Sequence, residues 1–393
     1  MQAQYDVVVV GAGIAGAGVA ADLSRDHRVV LLEQEPQPAM HATGRSAALF
    51  SEIYGNACIR ALSQASRGFF LDRDEEPAFV TPRGCIHIAR QDELAGIEAL
   101  ASEPSVAPFV TALNGDEVRA LVPVLFPGVV VAALSENHSY DLDVDAIHQH
   151  FLRQMRGNGG VLHCSSPVTR CMHDGRAWTV HAGDRVLRAP IVINAAGAWG
   201  DVLAKMAGAQ PVGLQPKRRT AVIVDPPQGV DSAKWPAVIH IGEKFYFKPE
   251  AGKILMSPAD ETPVDPHDAY PDELDVAIAV DRVQQVADIA VRRVEHSWAG
   301  LRTFAPDKTP VVGYDSRVPG FFWLTGQGGY GIQTAPALSE LAASLVRRRG
   351  IPDALAAAGV TQAELAPARF QAPGGASSQP ETSYEPINGQ ASR

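Results

Sequence analysis

Three glycines, Gly11, Gly13 and Gly16, stand in G-x-G-x-x-G spacing directly behind the β-branched run Val7–Val10. That spacing suits a diphosphate. The first glycine permits a tight turn, the second lets backbone approach the pyrophosphate, and the third lets helix and strand pack closely. A helix opening there offers unpaired N–H groups and the positive end of its dipole. A second apolar run, Val29–Leu32, ends in Glu33, about 20 residues on, where an acid can take ribose hydroxyls. Strand, glycine turn, helix, strand and terminal acid in this order predict a dinucleotide site. A second glycine loop, Gly326–Thr334 (G-Q-G-G-Y-G-I-Q-T), precedes another helix, and its N–H groups can form a nest for negative charge. Two arginines have the planar fork that grips a carboxylate: Arg219, ending L-Q-P-K-R-R, and Arg302, ending W-A-G-L-R. On a strand only one of Arg218 and Arg219 can face inward.

These residues need a frame to hold them. The amino-terminal β-α-β unit runs into the loop Met40–Ser46 and a helix to about Phe70. Helices are expected over Asp92–Glu103 and Asn114–Leu121, and from a cap at Asp143 or Asp145 to Gly157. Strands follow at Val161–Cys164, Val168–Cys171, Trp178–His181 and Arg185–Leu187. The run P-I-V-I-N-A-A-G-A-W, Pro190–Trp199, reads as a buried strand opening into a helix. Strand-like stretches then cover Thr220–Asp225, Lys244–Lys248 and Lys253–Ser257, with a helix over Asp272–Ala287. Phe321 begins a last strand, followed by the glycine loop and a helix to about Arg349. The dinucleotide unit is thus rejoined late in the chain, so the nucleotide domain is discontinuous. Residues 371–393, rich in Pro, Gly, Ser and Gln, read as a disordered tail.

With 393 residues, 46% hydrophobic and 20% charged, the composition is that of a globular protein. The net charge of −10 and the scattered basic clusters argue against nucleic acid as a partner. No apolar run approaches the ~20 residues that span a bilayer. The first strand starts too early to leave room for a signal peptide. Four cysteines without C-x-x-C spacing read as reduced thiols, and the expected location is the cytoplasm. No metal site is expected: His148 and His150 face different ways on a helix, and Asp141, Asp143 and Asp145 read as capping.

G-A-G-I-A-G with Glu33, H-A-T-G-R-S-A-A, N-A-A-G-A-W, L-Q-P-K-R-R, W-A-G-L-R and G-Q-G-G-Y-G-I-Q-T occur in one order. Together they resemble the flavin-dependent D-amino acid oxidase/dehydrogenase family, within it most of all the bacterial D-arginine dehydrogenase-like branch, from Tyr5 to about Arg349. The resemblance implies an α/β fold with an FAD-binding Rossmann-like domain (1–80, 146–214 and 297–350). A discontinuous α+β substrate domain with a mixed sheet (81–145 and 215–296) completes it. FAD is the implied cofactor. Gly11, Gly13, Ala15 and Gly16 would lie along its pyrophosphate, Glu33 on the ribose with Gln34 beside it, and Val168 near adenine. The loop Ala42, Thr43, Gly44, Arg45, Ser46, Ala47, Ala48 and Leu49 would run under pyrophosphate and flavin, with Ala196 and Gly197 nearby. Gly328, Gly329, Tyr330, Gly331, Ile332 and Gln333 would close over the ring, where a nest of N–H groups stabilises charge on the reduced flavin.

The same resemblance places Arg219 and Arg302 on a substrate carboxylate, with Tyr246 as a further hydrogen-bonder, Tyr54 as a mobile lid contact and Gly329 beside them. Leu49, Cys85, Ala237 and Ile239 would line the side-chain pocket. Relatives that take basic D-amino acids carry a glutamate at the position of Cys85 and a histidine at that of Leu49. A cationic side chain buried here would lack its partner, at a cost of a few kcal/mol, so preference shifts toward neutral or hydrophobic side chains unless Glu52 or Glu243 substitutes. The implied reaction is oxidative deamination by hydride transfer from Cα to flavin N5, with oxygen or a quinone as final acceptor. Oxidation of glycine or N-methyl amino acids is the alternative within the superfamily. A nicotinamide-dependent dehydrogenase and a non-catalytic flavoprotein are the alternatives outside it.

Overall fold

The computed structural model describes residues 3–72, 78–136 and 138–370; the expected tail at 371–393 lies outside them. Two sheet systems organise the chain. The first is a six-stranded sheet in the order Val161–His163, Val29–Leu32, Val7–Val10, Ile191–Asn194, Phe321–Thr325, Val311–Tyr314. Neighbours are parallel except the last pair. All four valines of Val7–Val10 are buried, because both faces of the sheet are covered. Val7, Val9, Leu31, Ile193 and Phe322 pack under the helices Ile14–Leu23, Val144–Gly157 and Gly331–Val346. Their alternates Val8, Val10, Leu32, Val192 and Trp323 pack with Cys171, Trp178 and Val180 of a four-stranded sheet.

The local signals explain these elements. Val144–Gly157 starts where the Asp143 side chain accepts from the N–H of Ala146. Gly115–Leu121 starts at Asn114, in a reciprocal capping box with Glu117, and Glu273–Gln284 at Asp272. Asp143 is one of the two expected caps, and the other two helices begin one residue after their expected first residues, Asn114 and Asp272, which act as their caps.

The second system is a ten-stranded mixed sheet, whose main path ends with Gln327–Gly328 at one edge and Thr111–Asn114 at the other. Its longest members, Gln215–Val224 and Val294–Phe304, are antiparallel partners. The expected domain boundary at 297 therefore falls inside a strand of this sheet. One face is apolar: Ile86, Val222, Val238, Phe247 and Met256 pack with Ala279 and Val283 of Glu273–Gln284. By strand alternation the other face carries His87, Ile239, Tyr246, Arg219 and Arg302, and it turns toward the glycine loops of the first sheet.

Candidate active site

An elongated cavity runs between the two sheets. It extends from Glu33, Gln34 and Val168 to His87 and Lys248. At its first end lies the turn after Val7–Val10. Gly11 has φ +101°, and a Cβ there would come within 2.4 Å of the Ala195 carbonyl oxygen. A Cβ on Gly16 would meet the Gly11 oxygen at 1.9 Å, so Gly16 permits the turn and does not line the cavity. The Glu33 carboxylate accepts from the N–H of Ala12 (3.0 Å) and of Glu35 (3.1 Å). Burial pushes its pKa up. Thr43 Oγ1 accepts from Ile14 N–H at 3.0 Å. The N–H groups of Ala15 and Gly16, in the first helical turn, have no intrahelical acceptor by helix geometry. From below, the ring Nε2 of buried His148 lies 2.9 Å from the Ala12 oxygen.

The middle of the cavity is bounded by Ala42, Thr43, Arg45 to Leu49, Ala196, Gly197, Gly328, Gly329 and Gly331 to Gln333. A second helix N-terminus, that of Gly331–Val346, opens here. Several of the expected contacts have other work. Arg45 donates to the carbonyls of Met40, Ala269 and Ala299 and pairs with Asp268, tying the loop to the large sheet. Gly44 does not line the cavity, for its Cβ would strike the Ala39 oxygen. Gln333 spends its amide on Ser51 and Ser63, fixing the segment that carries Tyr54. Tyr330 does not line the cavity; its ring packs edge-on against Tyr54, with centroids 4.8 Å apart.

Arg302, Arg219, Tyr54, Tyr246, Ala237 and Ile239 converge at the large-sheet end. Arg302 donates to the Tyr54 hydroxyl at 3.1 Å, and among the described residues no carboxylate pairs with it. A Cβ on Gly329 would lie 2.9 Å from its Cζ, so the guanidinium sits directly against glycine backbone. Arg219 donates to the Asp260 carbonyl at 2.8 Å and approaches Glu261 at 3.5 Å. Arg218 points the other way, to Asp275 and Asp272. Strand alternation thus resolves the Arg218–Arg219 pair in favour of Arg219.

The side-chain end differs from expectation. Cys85 is 1% exposed and does not line the cavity. His87, two residues on and on the same face, does line it, with Nε2 3.7 Å from Cys85 Sγ. Opposite Cys85 is buried Glu136, which accepts from the Ser51 hydroxyl (2.9 Å) and the Glu52 N–H (2.8 Å). Potential metal donors of Cys85, His87 and Glu136 lie within 4.8 Å of one another. Burial pushes the Glu136 carboxyl up to about 7 and the His87 imidazole down to about 4. Glu52 faces Arg67, away from the cavity, whereas Glu243 lies on its rim. His87, Ser51 and Lys248 were missed by sequence reasoning. The period-2 alternation of C-I-H-I-A carried a signal for His87, since i and i+2 share a face.

A family profile described as FAD dependent oxidoreductase (DAO) matches residues 6–345. The chain belongs to this family. Its cofactor is FAD, and the residues fit it: the cavity is long, two helix N-termini open on it, and glycines stand where a Cβ would collide with the turn or with Arg302. The chain is 23% identical over 404 residues to hydrogen cyanide synthase subunit HcnC of Pseudomonas aeruginosa, covering 90% of this chain and 94% of that protein. It is 23% identical over 401 residues to mouse FAD-dependent oxidoreductase domain-containing protein 1, covering 87% and 81%. Glycine oxidase from Bacillus cereus shares the fold, with TM-score 0.76, 20% identity, and coverage of 90% of this chain and 99% of that one. L-proline dehydrogenase from P. horikoshii does likewise, with TM-score 0.79, 20% identity, and coverage of 94% and 99%. Among the described residues no helix is long and apolar enough to cross a membrane.

Proposed function

We propose that this FAD-dependent oxidoreductase oxidatively deaminates D-amino acids with neutral side chains to 2-oxo acids and ammonia. The observation that carries the reading is Arg302. It is a half-buried cation lining the cavity, bonded to the Tyr54 hydroxyl, set against Gly329 and lacking a carboxylate partner among the described residues. Burying a charge without a counterion is costly, so such a site is suited to a ligand that brings the anion. An amino-acid carboxylate does so, held by Arg302 with Tyr246 and Tyr54 beside it and Arg219 further along the same face.

FAD, when bound, would supply the acceptor for a hydride leaving Cα. The residues around it orient the substrate, hold its carboxylate and keep water from the reacting carbon. The amino group reacts as the free base, whose lone pair assists the departure of hydride. The resulting imino acid takes up water and releases ammonia. The D configuration is supported by the motif resemblance to D-arginine dehydrogenase-like enzymes. A side chain, as opposed to glycine, is supported by the cavity's extension past Tyr246 to His87. Four free cysteines support a reducing, cytoplasmic setting. Oxygen or a quinone serves as the final acceptor.

Anaerobic mixing of the yellow holoenzyme with a panel of D- and L-amino acids, followed by flavin bleaching, tests the proposal. Bleaching by neutral D-amino acids with one equivalent of ammonia is expected. Formaldehyde release from N-methyl substrates, or glycine as the best substrate, would favour the alternative chemistry. Bleaching by L-amino acids alone would reverse the stereochemistry.

A further inference from the structure

We propose that His87 is the specificity-determining residue at the far end of the substrate cavity, hydrogen-bonding a neutral polar side-chain group such as an amide, a phenol or an indole N–H. The inference rests on the amino-acid reading above and adds which side chain is read and by what atom.

Register places it. His87 pairs with Ile239, and Ile239 with Tyr246, in one row across three strands. Two strand spacings separate the His87 and Tyr246 backbones by about 10 Å. A carboxylate held near Tyr246 therefore directs a long or ring-bearing side chain along Ile239 toward His87. Of the residues lining this end, Ala237, Ile239 and Leu49 offer no side-chain hydrogen bond, while Ser51 bonds Glu136 and Lys248 pairs with Asp141 and Glu250. At the end stands an imidazole that is 9% exposed and opens on the cavity. Its Nε2 is turned to Cys85 Sγ, and among the described residues nothing bonds its Nδ1.

The charges around this end disfavour a cationic side chain. The Glu136 oxygens are occupied by Ser51 and Glu52, behind Cys85. Asp141 is held by Lys248 and Arg83, and Glu250 by Lys248. A second cation there would meet Lys248 and a neutral His87. A neutral donor or acceptor satisfies the open ring nitrogen and leaves no charge uncompensated.

The test uses the FAD holoenzyme and near-isosteric substrate pairs: D-tyrosine against D-phenylalanine and D-glutamine against D-norleucine. Wild-type enzyme is expected to favour the polar member by about tenfold in kcat/KM, the scale of one well-made hydrogen bond. His87→Leu should bring that ratio near one, with the loss falling mainly on the KM of the polar members. His87→Asn, which keeps a polar group, should restore part of it. Thermal midpoint and flavin content check that each variant is folded. A ratio unmoved in both variants, or D-arginine or D-lysine as the best substrate, overturns the inference and leaves the deamination reading standing. Stoichiometric zinc in the purified protein also overturns it, because zinc on Cys85 and His87 would occupy the ring. Bleaching by no amino acid of either hand overturns both readings together.

Discussion

The cofactor end and the substrate end of the cavity are built on different principles. At the cofactor end, glycine turns at strand ends and two helix N-termini open on the cavity. Gly11 at φ +101° beneath Ala195, and Gly16 against Gly11, are positions where a methyl group does not fit. At the other end the lining is side chains standing on one face of a ten-stranded sheet, contributed by strands far apart in sequence. The first end tolerates little change in residue size. The second is lined by side chains such as Leu49 and His87, which can be exchanged without a clash against backbone.

Breaking the cofactor end should have the largest effect. Gly11→Ala places a Cβ 2.4 Å from a backbone oxygen at a φ that L-residues rarely adopt. The variant is expected to purify without flavin absorbance. Full flavin content with unchanged thermal stability would mean that the turn is less constrained than the cofactor end requires.

The two ends meet at Gly329 and Arg302. Gly329→Ala should push the guanidinium off its backbone seat, and Arg302→Leu should remove it. Both are expected to lower kcat/KM by about 10²–10³-fold, the scale of losing one buried charged hydrogen-bonding partner, while flavin content stays near wild type. Stopped-flow bleaching measures the first quantity and the visible spectrum the second. Loss of flavin in Arg302→Leu would show that the two ends are not separable.

A smaller effect sharpens the substrate end through pH. Glu136, raised by burial from 4.5 to about 7, binds its proton more tightly in the folded state than in the unfolded one. Its contribution to stability is complete below the unfolded pKa and is lost as pH rises through the folded one. His87, lowered by burial from 6.5 to about 4, works oppositely: its contribution is present above 6.5 and lost as pH falls. The two slopes partly cancel in the wild type. Glu136→Gln removes the first, so the stability difference between variant and wild type should move in the variant's favour by about 1 kcal/mol from pH 6 to 8. Denaturant unfolding at the two pH values measures it, and a constant difference would count against an ionisable Glu136 at this site.

The smallest effect returns to the cofactor end. Thr43→Val removes the hydroxyl that caps Ile14 N–H. A stability loss of about 1 kcal/mol is expected, with weaker retention of flavin on dilution and no change in substrate preference.

The sequence was most legible where structure is local. The β-α-β unit, the helix starts at Asn114, Asp143 and Asp272, and the strands from Val161 to Asn194 follow from residue patterns a few positions long. Less legible was Val294–Phe304, which was not among the expected strands and joins the large sheet by pairing with Gln215–Val224. Arg45 shows the limit at the site: its residue type suited a phosphate ligand, while its partners are the Met40 carbonyl, two carbonyls more than two hundred residues away and Asp268. Cys85 shows it again. It shares a strand face with His87, and only cross-strand packing against Glu136 decides which of them reaches the cavity.

By itself the sequence determined that a dinucleotide seat is made and where its glycines stand, because a tight turn at positive φ and a close backbone approach depend on missing side-chain atoms. Tertiary structure alone decided that Arg219 and not Arg218 faces the site, that Arg302 rests on Gly329, and that His87 replaces Cys85 at the end of the pocket. Those outcomes depend on register between strands distant in sequence and on which donors have already been taken by neighbours, and no local pattern encodes either.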